Sequence, residues 1–332
     1  MKILITGGSG FIGTNFTAEA IKRGHKVYNI DNLSLFLTDY NRKSINYNFN
    51  KIDILKTEEL NVILNKFKPD KVIHMAAESH VDQSIRNPEI FIQTNIMGTY
   101  SILQASLKYW KSLNKKNNFC FHHISTDEVF GSLNAKDAPF TEKSNYKPNS
   151  PYSATKAGSD HIVRAWTKTY GLPISITHCG NNFGPFQSPE KLIPMTIISC
   201  LKRERIPIYG TGENIRDWIY VKDHVQALLN IIEQNIINQD YVIGSRNEKT
   251  NNQLINEICD VYNNISKVKY DYKKLIIYVE DRLGHDFRYA VNPKLIEQNT
   301  NWAPENDFFN QIKETCIWYI ENQSLWHKFM KN

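Results

Sequence analysis

Lys2-Ile3-Leu4-Ile5-Thr6-Gly7-Gly8-Ser9-Gly10-Phe11-Ile12-Gly13 follows the first methionine of the chain. Lys2 to Thr6 is a short apolar run closed by glycine, the pattern of a buried strand. From Phe11 to Arg23 apolar residues recur at helical spacing, and Gly24 stops the run. Gly7, Gly10 and Gly13 fall in the turn between the two elements. Glycines there permit a tight turn, close approach of backbone to a pyrophosphate, and close packing of helix on strand. The helix start, at Phe11 and Ile12, offers free N–H groups to phosphate oxygens. A glycine-rich string alone also fits a plain turn. Its context is what points to a dinucleotide: a second strand, Lys26 to Ile30, ends at Asp31, 18 residues beyond Gly13. A carboxylate there binds ribose hydroxyls and repels a 2′-phosphate. No Arg adjoins it, so the sequence favours NAD over NADP.

Working outward, helical and strand patterns alternate. Thr57 to Phe67 reads as a helix and Lys71 to Met75 as a strand. Asn95 to Leu113 follows as a helix, then Phe119 to Ser125 as a strand. Ser153 to Tyr170 is a long helix and Ile174 to His178 a strand. Residues 33–50 and 131–151 are polar and read as loops, the second at the surface. This alternation predicts an α/β fold, a Rossmann-type doubly wound parallel sheet with helices on both faces. After about residue 180 proline- and glycine-rich turns separate isolated strands and helices, as in a smaller α+β lobe. The expected division is a dinucleotide-binding part at 1–180 and a mainly substrate-binding lobe at 181–332, with later segments returning to the first part.

Composition excludes other classes. The chain has 332 residues, 41% of them apolar and 22% charged, with a net charge of +6. That is a globular balance with ample length for a core. Basic residues are scattered among acidic ones, so the charge gives no nucleic-acid footprint. No run approaches the ~18 apolar residues of a membrane span, and the start does not read as a signal peptide. Five widely spaced cysteines, Cys120, Cys179, Cys200, Cys259 and Cys316, hold no C-x-x-C pair. They suit reduced thiols and a cytoplasmic setting.

A second constellation carries chemistry. Tyr152 and Lys156 are four apart at the start of a helix and share a face. Ser125 and Thr126 end a strand, at the sheet edge where open α/β sheets bind ligands. Oxidising a carbinol carbon also requires removing its hydroxyl proton, and a free tyrosine is too weak an acid to act as base near neutrality. A positive charge at ~4 Å, with an effective dielectric of ~20, is worth about 4 kcal/mol. Lys156 and an oxidised nicotinamide are therefore expected to acidify Tyr152, with the Thr126 hydroxyl on the same substrate oxygen.

Six strings extend the pattern. They are Ala76-Ala77-Glu78-Ser79-His80-Val81-Asp82, Ile124-Ser125-Thr126-Asp127-Glu128-Val129 and Pro151-Tyr152-Ser153-Ala154-Thr155-Lys156, then Pro189-Glu190-Lys191-Leu192-Ile193-Pro194, Ile215-Arg216-Asp217-Trp218 and Asp281-Arg282-Leu283-Gly284-His285-Asp286. With them the chain resembles the extended short-chain dehydrogenase/reductase family over nearly its whole length, and most closely its dTDP-glucose 4,6-dehydratase branch. An epimerase of that family needs only Thr126, Tyr152 and Lys156. A dehydratase must also break a C–O bond, and adjacent carboxyl groups in different protonation states suit that task. The resemblance implies C4 oxidation, elimination of water across C5–C6 and return of the hydride to C6. It makes Glu128 the C5 base and Asp127 the acid.

The same resemblance places NAD against Gly7, Gly10, Phe11, Ile12, Gly13, Asp31, Asn32, Ser34, Asp53, Ile54, Ala76, Ala77, Ser79, Thr94, Tyr152, Lys156 and Asn182. It places a nucleotide sugar, dTDP-glucose or UDP-glucose, against Ser79, Thr126, Asn181, Glu190, Lys191, Leu192, Pro207, Tyr209, Arg216, Asn251, Arg282 and His285. Arg216, Arg282 and Lys191 suit a diphosphate. No metal is implied, since His80 and His285 lack a second ligand at suitable spacing. Phe130 and Phe183 stand where the family usually has Tyr, Leu283 where it has Pro and Phe287 where it has Arg. These departures keep a UDP-glucose dehydratase open, beside a 4-epimerase and a non-catalytic NAD-binding scaffold. A homodimer is expected through residues 95–113 and 153–170, where Tyr100, Leu103, Trp166 and Tyr170 offer apolar surface.

Overall fold

The computed structural model describes residues 1–33, 41, 43–114, 118–282 and 284–327. Its strands are β1 (Lys2–Thr6), β2 (Lys26–Asp31), β3 (Tyr47–Lys51), β4 (Lys71–His74), β5 (Cys120–Thr126), β6 (Ile174–Cys179), β7 (Asn181–Phe183), β8 (Ile206–Tyr209), β9 (Ile215–Tyr220), β10 (Gln239–Ile243), β11 (Glu248–Thr250), β12 (Ile276–Val279) and β13 (Arg288–Tyr289). Seven of them form one parallel sheet in the order β10-β6-β5-β4-β1-β2-β3. A strand covered on both faces must be apolar throughout, and Ile3, Leu4 and Ile5 are fully buried. β5 is buried along its whole length although it reads Cys-Phe-His-His-Ile-Ser-Thr. Its polar side chains find partners inside: His122 sits 2.6 Å from Ser175 Oγ and 3.2 Å from Thr177 Oγ1.

Strand order reverses between β1 and β4, which makes the crevice beyond their carboxyl ends the ligand position in this class of sheet. Gly7 and Ala76 meet there. A second, four-stranded sheet centres on β9, flanked by β11 and β13 and joined by β7; β8 pairs with β12. The C-terminal half is thus interleaved with the first, because β10 completes the main sheet.

Three expectations need correction. The stretch expected as a loop at 33–50 contains the start of β3, an edge strand whose alternating Tyr-Asn-Phe-Asn-Lys pattern stays largely solvated. The helix expected from Asn95 begins earlier, at Pro88–Phe91, and passes through a π-helical stretch, Ile92–Gly98, before Thr99–Ser112. The 131–151 segment is not merely superficial. Leu133 and Phe140 are buried, bridge Arg288 and Val291, and pack with Val129, Phe130, Ala157 and Val242.

Candidate active site

The helix Pro151–Tyr170 sets the position of Tyr152 and Lys156, and its start is specified locally. Ser150 caps it in a reciprocal box with Ser153, Pro151 occupies the first turn, and Gly171 ends it at φ +71°. Tyr152 and Lys156 are both buried, as are Thr126 and Asp127. β5 ends at Thr126 and turns at once into a single 3₁₀ turn, Asp127–Phe130. Thr126 Oγ1 caps that turn, accepting from the Glu128 N–H at 3.3 Å and donating to Asp127 Oδ1 at 3.3 Å. The structure thus joins Thr126, Asp127 and Glu128 in one turn, sets Tyr152 within hydrogen-bond reach of Thr126, and carries Lys156 to the carbonyl of Ile124, two residues before Thr126.

Their electrostatics differ from one to the next. Burial, then Glu128 and Asp217, hold the Asp127 carboxyl well above the usual carboxylate range. Its Oδ2 is buried without a hydrogen-bond partner. Burial also raises Glu128, but Arg216, Lys191 and Arg282 oppose it, and the group settles at about 7. The pair thus offers a protonated acid beside a carboxylate poised near neutrality. Tyr152 departs from expectation. Burial first, then Glu128 and Cys179, push its phenol up, and only the hydrogen bond with Thr126 pulls it down. The Lys156 ammonium, one helical turn on, donates to the Ile124 carbonyl at 2.8 Å.

Beside Arg216, expected against the substrate, the wall is completed by Tyr289, Asp217 and Cys179, to which the sequence assigned no site role. Arg216 is buried, donates to the carbonyls of Ile215, Asp286 and Phe287, and lies 4.3 Å over the Tyr289 ring. The Tyr289 hydroxyl donates to Asp286. Asp217 is fully buried and accepts from Ser245, Arg246 and Asn247. Cys179 donates to the Ser125 carbonyl at 3.5 Å, and burial raises its thiol to about 12. Asp217 sits inside a string the reading quoted, but only its Arg neighbour was taken; the fact that it is buried is not written in the string. Where the family has Tyr, Phe130 and Phe183 pack against aromatic rings of Phe140 and Tyr146, and of Tyr220 and Phe308.

The glycine turn fits a dinucleotide. Gly7 has φ +75°, and a Cβ on it would come within 2.7 Å of the Ala76 nitrogen; one on Gly13 would come within 2.2 Å of the Gly7 carbonyl oxygen. No side chain caps the helix that starts at Phe11, leaving the N–H groups of Phe11, Ile12 and Gly13 toward the crevice. Asp31 is buried beside them, accepting from Ser9 N at 3.1 Å and Leu33 N at 2.9 Å. Ala76 N–H meets Thr6 Oγ1, Ala77 follows it, and Asn32 lies between Asp31 and Leu33 in the turn after β2. Asp53 shapes a local turn through Leu55 N, Ile54 packs on Gly98, and Thr94 lies in the π-helical stretch. Asn182 is held by His224 and the Gly180 carbonyl. Ser34 lies outside the described residues.

The predicted sugar-nucleotide residues form a rim. Glu190 stands 3.5 Å from His80, beside exposed Ser79, and Lys191 and Leu192 start the helix Leu192–Lys202. Arg282 pairs with Asp82 at 3.3 Å and lies 4.5 Å over Tyr209, which ends β8 two residues after Pro207. His285 contacts Asp281 at 2.7 Å. Asn251 opens the helix Asn251–Ile265, and the Asn181 Oδ1 is buried without a partner. A cavity of about 210 Å³ lies between Asp82, Ile85, Arg86, Tyr209 and Arg282. A wider one, about 820 Å³, lies away at the β10 edge, lined by Arg164, Asp240 and Lys294 among others, and by none of the predicted site residues.

Comparison with known proteins agrees with this geometry. The family model described as GDP-mannose 4,6 dehydratase matches residues 4–315. A dTDP-glucose 4,6-dehydratase of Salmonella typhimurium is 47% identical, over 97% of this chain and 93% of its own. Two solved structures superpose closely. One is a dTDP-glucose 4,6-dehydratase from Bacillus anthracis in complex with NAD, with TM-score 0.87 and 37% identity over 99% of both chains. The other is a dTDP-glucose 4,6-dehydratase from Streptomyces venezuelae with NAD and TYD bound, with TM-score 0.90 and 34% identity over 99% of this chain and 100% of that one. A Rossmann-type sheet, a paired Tyr and Lys and two adjacent carboxyls of unlike proton affinity thus coincide with near-full-length similarity: the chain belongs to the GDP-mannose 4,6 dehydratase family, in its dTDP-glucose 4,6-dehydratase branch.

Proposed function

We propose that this protein converts dTDP-glucose into dTDP-4-keto-6-deoxyglucose and water, as an NAD-dependent lyase. The observation that carries this reading is Asp127 beside Glu128 at the end of β5, one buried without a partner at Oδ2 and raised, the other near 7. An epimerase has no use for that pair. The cradle at Gly7, Gly10 and Gly13, with Asp31, holds the cofactor. When bound, NAD would supply a nicotinamide ring that is positively charged until it holds a hydride, and with it the transient two-electron oxidation that the side chains cannot perform.

The chain's own groups move the protons. Thr126 and Tyr152 hold the C4 oxygen; once the charges of Lys156 and bound NAD have made Tyr152 give up its own phenol proton to solvent, its tyrosinate Oη takes the proton of the C4 hydroxyl. Glu128 takes the C5 proton, the freed electron pair forms the C5–C6 double bond, and the C6–O bond breaks as Asp127 gives its proton to the leaving hydroxyl. Glu128 then returns its proton to C5. Tyr152 is left with one proton too many and Asp127 with one too few. Thr126 hydrogen-bonds Tyr152 and donates to Asp127, so its hydroxyl joins the two and supports transfer back. Arg216, Lys191 and Arg282 bind the diphosphate, with residues 1–180 and β10 serving the cofactor and most of 181–332 the sugar nucleotide.

Incubation with dTDP-glucose and, separately, UDP-glucose tests this by product mass. Loss of one water from dTDP-glucose, faster than from UDP-glucose, is expected. A product of unchanged mass with inverted C4 would replace the reading with epimerisation. The working form is a homodimer in the cytoplasm. Ile92, Met97, Tyr100 and Tyr170 are exposed, and Trp166 packs edge-on between Tyr100 and Tyr170; Leu103, expected at this surface, is instead fully buried in the core behind the helix. Tyr100→Asp is expected to yield a monomer in sedimentation; an unchanged dimer would assign the interface elsewhere. No helix of the described residues is long and apolar enough to cross a membrane.

A further inference from the structure

One helical turn after Lys156 stands a charged side chain that the chemistry above does not use. Asp160 is fully buried. Its Oδ2 accepts from Ser125 Oγ at 2.8 Å and from Tyr146 at 2.8 Å, with His178 Nε2 at 3.1 Å; His123 Nε2 is 3.1 Å from Oδ1. These donors come from β5, β6 and the 131–150 segment, so the carboxylate ties three parts of the site floor together.

We infer that Asp160 is a positioning residue for the catalytic pair: its buried carboxylate, one helical turn on, is the counter-charge that keeps the Lys156 side chain an ammonium where it donates to the Ile124 carbonyl. The other groups around it do not neutralise it. His123 has a buried Nδ1 without a partner, which fits a neutral ring. Burial, with Lys156 and His178 nearby, holds His123 down at about 4, and His74 behind it is lowered as well. Arg164 reaches the cluster only through the Tyr146 hydroxyl, at 2.7 Å, and is itself paired with Asp240 at 2.6 Å. Lys156 is the cation left on the site side, at i,i+4 on the same helix face. Burial pulls its ammonium down, and Asp160, then Cys179, push it back up. Without a buried partner an ammonium in this position would shed its proton rather than stay charged. Burial works to raise Asp160, but its contacts with His123 and His178 hold it well below the ordinary carboxylate range.

This inference rests on Lys156 assisting Tyr152, and its test separates the two. Protein labelled with carbon-13 at lysine Cε, with Lys156 assigned by its loss in Lys156→Met, reports the ammonium's titration without turnover. Asp160→Asn is expected to weaken proton binding by Lys156 by about tenfold or more. Tyr146→Phe removes a donor and keeps the carboxylate, so it is expected to leave the titration in place. In parallel, C4 oxidation of a 6-deoxy analogue of the substrate isolates Tyr152 and Lys156 from the elimination. Its alkaline limb is expected to move to lower pH in Asp160→Asn, whereas a purely structural lesion would lower the rate equally at every pH. Coincident titrations in wild type and Asp160→Asn overturn the inference. Should that variant not fold, the wild type decides: Lys156 losing its proton near neutral pH overturns it, and a charge kept well into alkaline pH supports it. Failure of the functional reading looks different, since wild type would then not oxidise the analogue at any pH.

Discussion

Asp127 and Asp217 both border Gly180: a Cβ placed there would lie 3.8 Å from Asp127 Oδ2, 3.8 Å from Asp217 Cβ and 3.1 Å from the Asp217 carbonyl oxygen. The buried Asp217 is one of the charges that keep a proton on Asp127. Asp217→Asn removes that charge, so Asp127 should lose its proton at lower pH. The alkaline limb of kcat is expected to shift down, with a loss of about tenfold at its former midpoint. Pairing the pH profile with thermal unfolding separates this from the instability of the 245–247 turn, which the same change weakens by roughly 1–3 kcal/mol.

Glu128 sets the acid limb. As a base it must be ionised, and its proton leaves at about 7. The rate of dehydration is expected to rise with pH up to that value and then level, falling about tenfold per pH unit below it. Glu128→Gln should abolish the limb and cost about 10²–10⁴ in kcat. A wild-type rate that is flat between pH 5 and 7 would assign the base elsewhere.

The same residue should cost stability. A carboxyl whose folded pKa exceeds its unfolded value binds more protons when native. Stability therefore falls as pH rises from the ordinary Glu range through about 7, and stays lower above it. Glu128→Gln is expected to match wild type in acid and to be more stable at pH 8 by on the order of 2 kcal/mol. Melting curves at both pH values read this, and equal differences at the two would contradict it.

Gly13→Ala should be more severe than an exposed helical Gly→Ala. Its Cβ would meet the Gly7 carbonyl at 2.2 Å and the Gly8 Cα at 2.6 Å, both backbone. The helix must move off the strand, and NAD affinity is expected to fall by more than tenfold with a loss of about 2 kcal/mol or more in stability. Calorimetric titration with NAD and thermal unfolding measure each. Gly24→Ala serves as the control: a positive φ of +82° makes it strained in the backbone alone, with open space around its Cβ and no part in the crevice.

The doubly wound half was legible because apolar runs such as Lys2–Thr6 and Lys71–His74 have one reading when both faces are buried. β3 escaped because an edge strand solvated on its sides carries Asn and Lys where a core strand carries Ile. A return of later segments to the first part was expected, but not which strand makes it: β10 pairs with β6, which ended some 60 residues earlier, and spacing does not name the partner. At the site, Tyr152, Lys156, Asp127 and Glu128 are adjacent in sequence to elements that place them. Asp160, Asp217 and Tyr289 act through burial and charge arriving from other strands, which only the folded arrangement reveals. The acidity of Tyr152 shows the same limit. The spacing to Lys156 is right, yet the ammonium is held by a backbone carbonyl and desolvation prevails.

The return of β10 to β6 has a consequence for biosynthesis. While the chain leaves the ribosome, β6 is complete at Cys179, but the strand that covers it ends at Ile243. At ordinary elongation rates that interval lasts roughly 3 to 13 s. Throughout it the nascent sheet has an open edge carrying unpaired backbone groups, a template for pairing with another chain. A chaperone that shelters this edge, or a pause that lengthens its exposure, would then decide yield more than any mutation in the finished core.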